Sequence, residues 1–213
     1  MAAFTLYGHH RSSASYRARI ALNLKGVQYE TVFIDLLKGD QRREEFQKLN
    51  PEGLVPVLAV DGQLVSQSLA IIEYLEETIA EPALLPEDPV ARARVRAFAL
   101  AVACDIHPLN NLRVLAYLTG PLGLSTATKD QWYQHWIAEG LSSLETLVNA
   151  RGTPSFCFGE APNLADVLLI PQLANARRTH CDLTPYPSLL RIEKNCMALS
   201  AFQKAAPENQ PQA

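Results

Sequence analysis

Phe4-Thr-Leu-Tyr-Gly-His-His-Arg-Ser-Ser-Ala-Ser-Tyr-Arg-Ala-Arg-Ile-Ala-Leu-Asn-Leu-Lys-Gly26 decides how the chain is read. Phe4–Tyr7 is short and β-prone. From Ser15 to Lys25 the apolar Ala18, Ala21, Leu22 and Leu24 recur near helical spacing, and Gly26 stands where a helix stops. The stretch therefore predicts strand, then helix. Tyr29–Ile34 reads as a second strand, 42–49 as a short polar helix ended by Asn50-Pro51, and Val55–Val60 as a third strand. Asp61-Gly62 is a hairpin signal with Leu64-Val65 returning, and Ser68–Thr78 carries Leu69, Ile72 and Leu75 on one helical face. A helical crossover implies parallel strands and the Asp-Gly turn an antiparallel pair, so the sheet is expected to be mixed and covered by helices.

Pro82, Pro86 and Pro89 mark the boundary candidate, and beyond it the pattern is helical throughout. The expected division is 1–82, an α/β domain, and 88–213, an all-α domain. A helix from Ala91 is expected to run on towards Leu118 with a kink or break at Pro108. Lys129–Ala150 and Leu189–Leu199 read as further helices. Asn163-Leu-Ala-Asp166 reads as a capping box with Asp in the Glu position, and Glu208–Ala213 as a mobile tail.

At 213 residues the chain is long enough for one large domain or two small ones, at roughly 150 residues each. Lys and Arg number 19 against 22 Asp and Glu, a balance that offers no basic excess for nucleic acid. No run approaches the ~20 apolar residues of a membrane span, and the N-terminus lacks the pattern of a secretory signal. Cys104, Cys157, Cys181 and Cys196 form no Cys-x-x-Cys pair and are expected to be free, mostly buried thiols. His9-His10 has no third ligand at metal spacing, so no metal is expected.

Two places could carry chemistry. Ser12, Ser13 and Ser15 gather where the first helix begins, and the N–H groups and positive dipole end there suit an anion or thiolate. The same serines also serve plain helix capping. Val55-Pro56 opens the third strand; a cis bond there would leave the Val55 backbone able to dock an extended peptide. Gln67-Ser68 then starts another helix, suited to a carboxylate or, for Gln67, to capping.

In combination, Arg11-Ser-Ser-Ala-Ser-Tyr-Arg-Ala-Arg-Ile-Ala-Leu22, Leu49-Asn-Pro51, Val55-Pro56 and Gln67–Glu76 resemble a cytosolic glutathione transferase. The Arg-Ser-Ser-x-Ser start is similar to the zeta class, the maleylacetoacetate and maleylpyruvate isomerases. The likeness continues through Pro171–Arg178 and Asp182–Pro187 and covers essentially the whole chain. It implies a thioredoxin-like domain that binds glutathione, followed by a helical substrate domain. Ser12 matches the thiol-activating hydroxyl, with Ser13 beside it. Val55 would pair with the cysteinyl unit, and Gln67 and Ser68 would hold the γ-glutamyl end. His107, Asn111 and Arg113 fall where the family's first helical-domain contacts lie. Their His-Pro-x-Asn-Asn-x-Arg run looks closer to the bacterial maleylpyruvate isomerases than to the animal enzymes, which carry Gln at the His position. Many zeta members have Ser-Ser-Cys; here Ala14 stands third, which removes any covalent role for a protein thiol there.

The resemblance implies a cytoplasmic, homodimeric isomerase of a maleyl diketo acid in aromatic or tyrosine breakdown, with glutathione as cofactor. A substrate with two carboxylates makes Arg11, Arg113 and Arg178 the candidate partners, since Arg grips carboxylate with a planar fork. Arg113 and Arg178 could instead be surface ion-pair residues, and His107 a packing histidine. Two rival functions stay open at this point: a transferase or peroxidase acting on electrophilic xenobiotics, and a non-enzymatic glutathione-binding protein.

Overall fold

A computed structural model of the chain describes residues 3–152 and 154–211. They form two compact units, Met1–Ala83 with Met197–Ala213, and Leu84–Cys196. The chain from Met197 onward thus belongs with the first unit, where the compositional division had kept it with the helices.

The first unit runs β1 (Phe4–Gly8), α1 (Ser13–Leu24), β2 (Glu30–Phe33), a 3-10 turn (Asp40–Arg42), α2 (Glu44–Leu49), β3 (Val57–Val60), β4 (Gln63–Ser66) and α3 (Ser68–Thr78). The strands lie in the order β2-β1-β3-β4. β1 pairs parallel with β2 and antiparallel with β3, and β3 pairs antiparallel with β4, the mixed sheet expected. Asp61 (φ 47°) and Gly62 (φ 81°) both take left-handed backbone, as a two-residue hairpin requires. The single polar helix expected over 42–49 is instead a 3-10 turn followed by α2.

Side chains alternate across the pleat. Val57 and Tyr7, which are cross-strand partners, pack with Ile34, Phe46 and Leu49 beneath α2. Leu6 and Leu58, paired one position along, turn to the other face. There α1 packs on α3 over fully buried Ile20, Leu22, Ile71 and Leu75. Beyond the helix ends, buried Lys25 bonds Glu76 (2.7 Å) and the Ile79 carbonyl (2.6 Å).

The returning segment forms α9 (Ser200–Ala205) against α1. Arg19 and Asn23 of α1 donate to the carbonyls of Ala205 (2.8 Å) and Ala201 (2.9 Å). The expected mobile tail is anchored for part of its length. Pro207–Asn209 is a 3-10 turn, Asn209 donates to Gln203 O, and Gln210 donates to Lys204 O. Gln212 and Ala213 lie outside the described residues.

The second unit holds α4 (Pro89–Leu100), a π-helical turn (Ala101–Ile106), a 3-10 turn (Pro108–Asn110), α5 (Leu112–Thr119), α6 (Thr126–Asn149), α7 (Leu164–Arg178) and α8 (Pro187–Met197). The helix expected from Ala91 towards Leu118 is therefore four pieces. Pro108 cannot donate, and its ring crowds the carbonyl four residues back, so the chain widens ahead of it. His107 N–H closes on Val102 O, five residues back, at 3.0 Å. A Cβ on Gly140 of α6 would fall 2.3 Å from the Ile106 side chain, so only glycine lets α6 lie this close to the π turn.

The capping box of α7 is present as read. Asn163 accepts from Ala165 N–H, and Asp166 accepts from Asn163 N–H and Cys157 N–H, both at 2.9 Å. Burial pushes the Asp166 carboxyl up to about 6, against the pull of those N–H donors.

Candidate functional site

The first unit presents two helix N-termini. At α1, Ser12 is the N-cap in extended conformation, and its Oγ accepts from Ser15 N–H at 3.2 Å. Capping therefore occurs, but it uses a lone pair and leaves the hydroxyl proton to donate elsewhere. Ser13 is buried as the first helical residue, and Ser15 Oγ accepts from His9 N–H at 3.3 Å. His9 Nδ1 lies 3.1 Å from Ile34 O, a hydrogen bond to the main chain. Among the described residues no three His, Cys, Asp or Glu side chains gather as metal ligands.

Arg19, a residue of α1 that the sequence reading passed over, fixes the loop before Ser12. Its guanidinium donates to His10 O (3.0 Å) and His9 O (3.5 Å), as well as to Ala205 O. Burial draws its pKa down to about 10, opposed by nearby Tyr29 and Tyr16. Exposed Arg11 sits between this clamp and Ser12.

The second N-terminus belongs to α3. Gln67 occupies the N-cap position with φ 69° and ψ 119°, and its side chain makes no cap bond. Simple capping is thus excluded for Gln67; its amide instead donates to Glu52 at 2.8 Å. Buried Ser68 opens the helix, with Arg17 of α1 reaching its Oγ at 3.5 Å. The loop ahead of β3 is built on buried Asn50, which accepts from Glu52 N–H and donates to Leu54 O. Val55-Pro56 is cis, as expected, and β3 begins only at Val57, so Val55 stands outside the ladder. A second cis bond, Glu81-Pro82, was not foreseen.

These observations fit a glutathione. A hydroxyl proton at a positive helix end suits a thiolate. A helix start whose cap side chain leaves the first N–H groups untouched suits a carboxylate. Val55, outside the β3 ladder, offers peptide groups to a peptide.

In the second unit, His107, Asn111 and Arg113 lie along one short path. His107 follows the π turn, and Asn110 N–H returns to His107 O at 3.2 Å. Asn111 is the N-cap of α5, with Oδ1 accepting from Arg113 N–H at 3.1 Å, a capping role not weighed from sequence. Its Nδ2 remains for a ligand. Arg113 is exposed in the first turn of α5, the end at which the helix dipole disfavours a cation. Arg178 is the last residue of α7, where the dipole favours one, and it is hydrogen-bonded to Tyr133 of α6. Arg177 pairs with Glu193 at the surface.

Of the cysteines, Cys157 and Cys196 are buried beside Asp166, and burial pushes both thiols up. Cys181 is partly buried and Cys104 exposed, which corrects the expectation of mostly buried thiols. Tyr133 and Arg19 were missed because an aromatic or an Arg at helical spacing carries no mark of its distant partners.

Comparisons with known proteins agree with this geometry. The N-terminal domain model of the glutathione S-transferases matches residues 2–77, and the C-terminal domain model matches residues 130–192. A maleylacetoacetate isomerase of Rhizobium meliloti (strain 1021) is 48% identical, over 95% of each chain. A holo structure of a maleylpyruvate isomerase, a bacterial zeta-class glutathione S-transferase, superposes with a TM-score of 0.96. It is 46% identical over 98% of this chain and 99% of its own. A maleylacetoacetate isomerase of Anaeromyxobacter dehalogenans 2CP-1 holds dicarboxyethyl glutathione and citrate in its active site. That chain is 44% identical with a TM-score of 0.88, over 100% of this chain and 98% of its own.

Proposed function

The chain belongs to the zeta class of the glutathione S-transferase family, and from that membership we propose that it is a glutathione-dependent isomerase of a maleyl diketo acid. The product is the fumaryl isomer, and the setting is aromatic or tyrosine breakdown in the cytoplasm, with the protein acting as a homodimer. The observation that carries this reading is the Ser12 hydroxyl, whose oxygen caps α1 while its proton stays available at the helix's positive end.

The chemical demand is rotation about a conjugated C=C, which is slow while the π bond is intact. Bound glutathione supplies a thiolate that can add to the cis alkene, leave a single bond free to rotate, and depart from the trans isomer. Ser12 donates a hydrogen bond to the sulfur, keeping its own proton, and with the α1 dipole holds the thiol in its ionised form. Ser13 supports the same helix start. Val55 pairs its backbone with the cysteinyl unit. Gln67 and Ser68 hold the γ-glutamyl carboxylate at the start of α3. His107 and Asn111 contribute further polar contacts to the glutathione. Arg11, Arg113 and Arg178 bind the two substrate carboxylates and offset the negative charge that develops during addition. That a full-length relative takes dicarboxyethyl glutathione and citrate supports a site that accepts several carboxyl groups together with glutathione.

The test is a spectrophotometric assay of maleylpyruvate and maleylacetoacetate with and without glutathione. Isomerisation of one or both, strictly dependent on glutathione, is expected. Conjugation of an aryl halide with no isomerisation of either maleyl acid would move the function to the xenobiotic reading.

A further inference from the structure

The geometry points to Tyr133 as a positioning residue that sets Arg178 for the substrate carboxylate; this rests on the reading of Arg178 as a carboxylate-binding group. Tyr133 lies on α6 and is 8% exposed, while Arg178, at the end of α7, is exposed. The Tyr133 hydroxyl donates to Asn175 Oδ1 at 2.9 Å and is hydrogen-bonded to Arg178. Arginine has donors only, so the direction of each bond is fixed: the phenol oxygen accepts from the guanidinium and passes its own proton to Asn175. Asn175 is itself buried, one turn back on α7, and cannot move to find another partner.

An exposed Arg carries many rotamers, and freezing them on binding costs affinity. One fixed oxygen beneath the guanidinium removes part of that cost before substrate arrives. A guanidinium carries five N–H donors, so a bond to the phenol oxygen does not by itself exhaust the fork that a carboxylate would meet. The same residue also supports the other substrate-binding element. Its main-chain carbonyl accepts from Asn110 Nδ2 at 3.2 Å, and neighbouring Trp132 donates Nε1–H to Leu109 O at 2.9 Å. Both bonds hold the turn that leads into Asn111 and Arg113. A change confined to the phenol oxygen leaves them intact, so the hydroxyl's contribution can be isolated.

The experiment is a double-mutant cycle of Tyr133→Phe and Arg178→Ala, assayed with maleylpyruvate and glutathione, with melting recorded for each variant. Tyr133→Phe is expected to raise KM for the maleyl substrate about 3- to 10-fold, the scale of one lost hydrogen bond. KM for glutathione and kcat should stay within about twofold of the parent. In the Arg178→Ala background the same substitution should have no further effect on the maleyl KM. Asn175→Leu, which keeps the γ-branched shape and removes the acceptor, should act in the same direction as Tyr133→Phe. If Arg178→Ala is impaired but Tyr133→Phe and Asn175→Leu keep the parent maleyl KM, the positioning role is overturned and the Arg178 reading stands. A full additional loss in the Arg178→Ala background overturns it equally. If Arg178→Ala itself leaves the maleyl KM unchanged, the carboxylate reading of Arg178 fails, and the role of Tyr133 falls with it.

Discussion

The N-termini of α1 and α3 share the same raw material, first-turn N–H groups that a helix does not satisfy internally and a positive dipole end, yet they are finished differently. At α1 the Ser12 oxygen accepts from Ser15 N–H, a bond that does not use the hydroxyl proton. At α3 the cap residue, Gln67, turns its side chain away to Glu52 and holds a positive φ that costs a non-glycine residue about 1–3 kcal/mol. One cap therefore spends its oxygen on the helix, and the other leaves the first turn of its helix without a side-chain acceptor. The box of α7 is a third case, closed by its own buried Asp166.

The comparison breaks first at Ser12. Ser12→Ala should lower kcat by about 10²–10³, the scale for losing one donor to a developing or stabilised charge, with little change in KM for glutathione. Steady-state kinetics at saturating glutathione check this, and unchanged turnover would reduce Ser12 to a cap.

The next effect belongs to the closed terminus. Asp166 has a folded pKa of about 6, raised above the usual 3.8. A raised carboxyl holds its proton in the folded state while the unfolded chain has lost it. Its contribution is therefore greatest below about pH 4, is lost as pH rises towards 6, and is flat beyond. Two pKa units correspond to about 3 kcal/mol. The stability difference between parent and Asp166→Asn, from urea unfolding at several pH values, should shrink by roughly that amount between pH 4 and 6. A difference independent of pH would remove Asp166 as the titrating group.

Gln67→Gly should release the positive-φ strain and raise unfolding free energy by about 1 kcal/mol, net of the added chain entropy of glycine. It should at the same time raise KM for glutathione several-fold. A lower urea midpoint would mean that the backbone at Gln67 is not strained. Smallest of all, Ser12→Gly should cost only a few tenths of a kcal/mol in stability, because glycine is tolerated at an N-cap. Its kcat should nevertheless fall as far as that of Ser12→Ala, and this pair of measurements separates the cap from the proton donor.

Local rules were legible where they act within a few residues. The Leu69, Ile72 and Leu75 spacing places Ser68–Thr78 with both ends correct, Asp61-Gly62 turns as read, and the Asn163–Asp166 box forms. Features decided by distant partners were not. Arg17 and Arg19 sit at helical positions that suggest solvent, yet they are 2% exposed, and Arg19 finds a carbonyl at Ala205. Pro108 announces a break but not the π turn before it, which depends on Gly140 admitting Ile106. In the candidate site, residue types were readable at Ser12, Val55, Gln67 and Ser68 because each sits at an element boundary. The support for Arg178 was not, because it comes from another helix, α6.

The bond from Arg19 to Ala205 has a consequence for how the protein is made. The carbonyls of His9 and His10 and that of Ala205 converge on one guanidinium, so the loop before Ser12 shares a ligand with a segment translated almost 200 residues later. While a ribosome is still building the helical unit, that guanidinium, already drawn towards the interior, lacks one of its acceptors. The clamp on the loop before Ser12 gains its last acceptor only after α9 has been released and has folded back. Completion of that hydrogen-bond set thus waits on the far end of the chain.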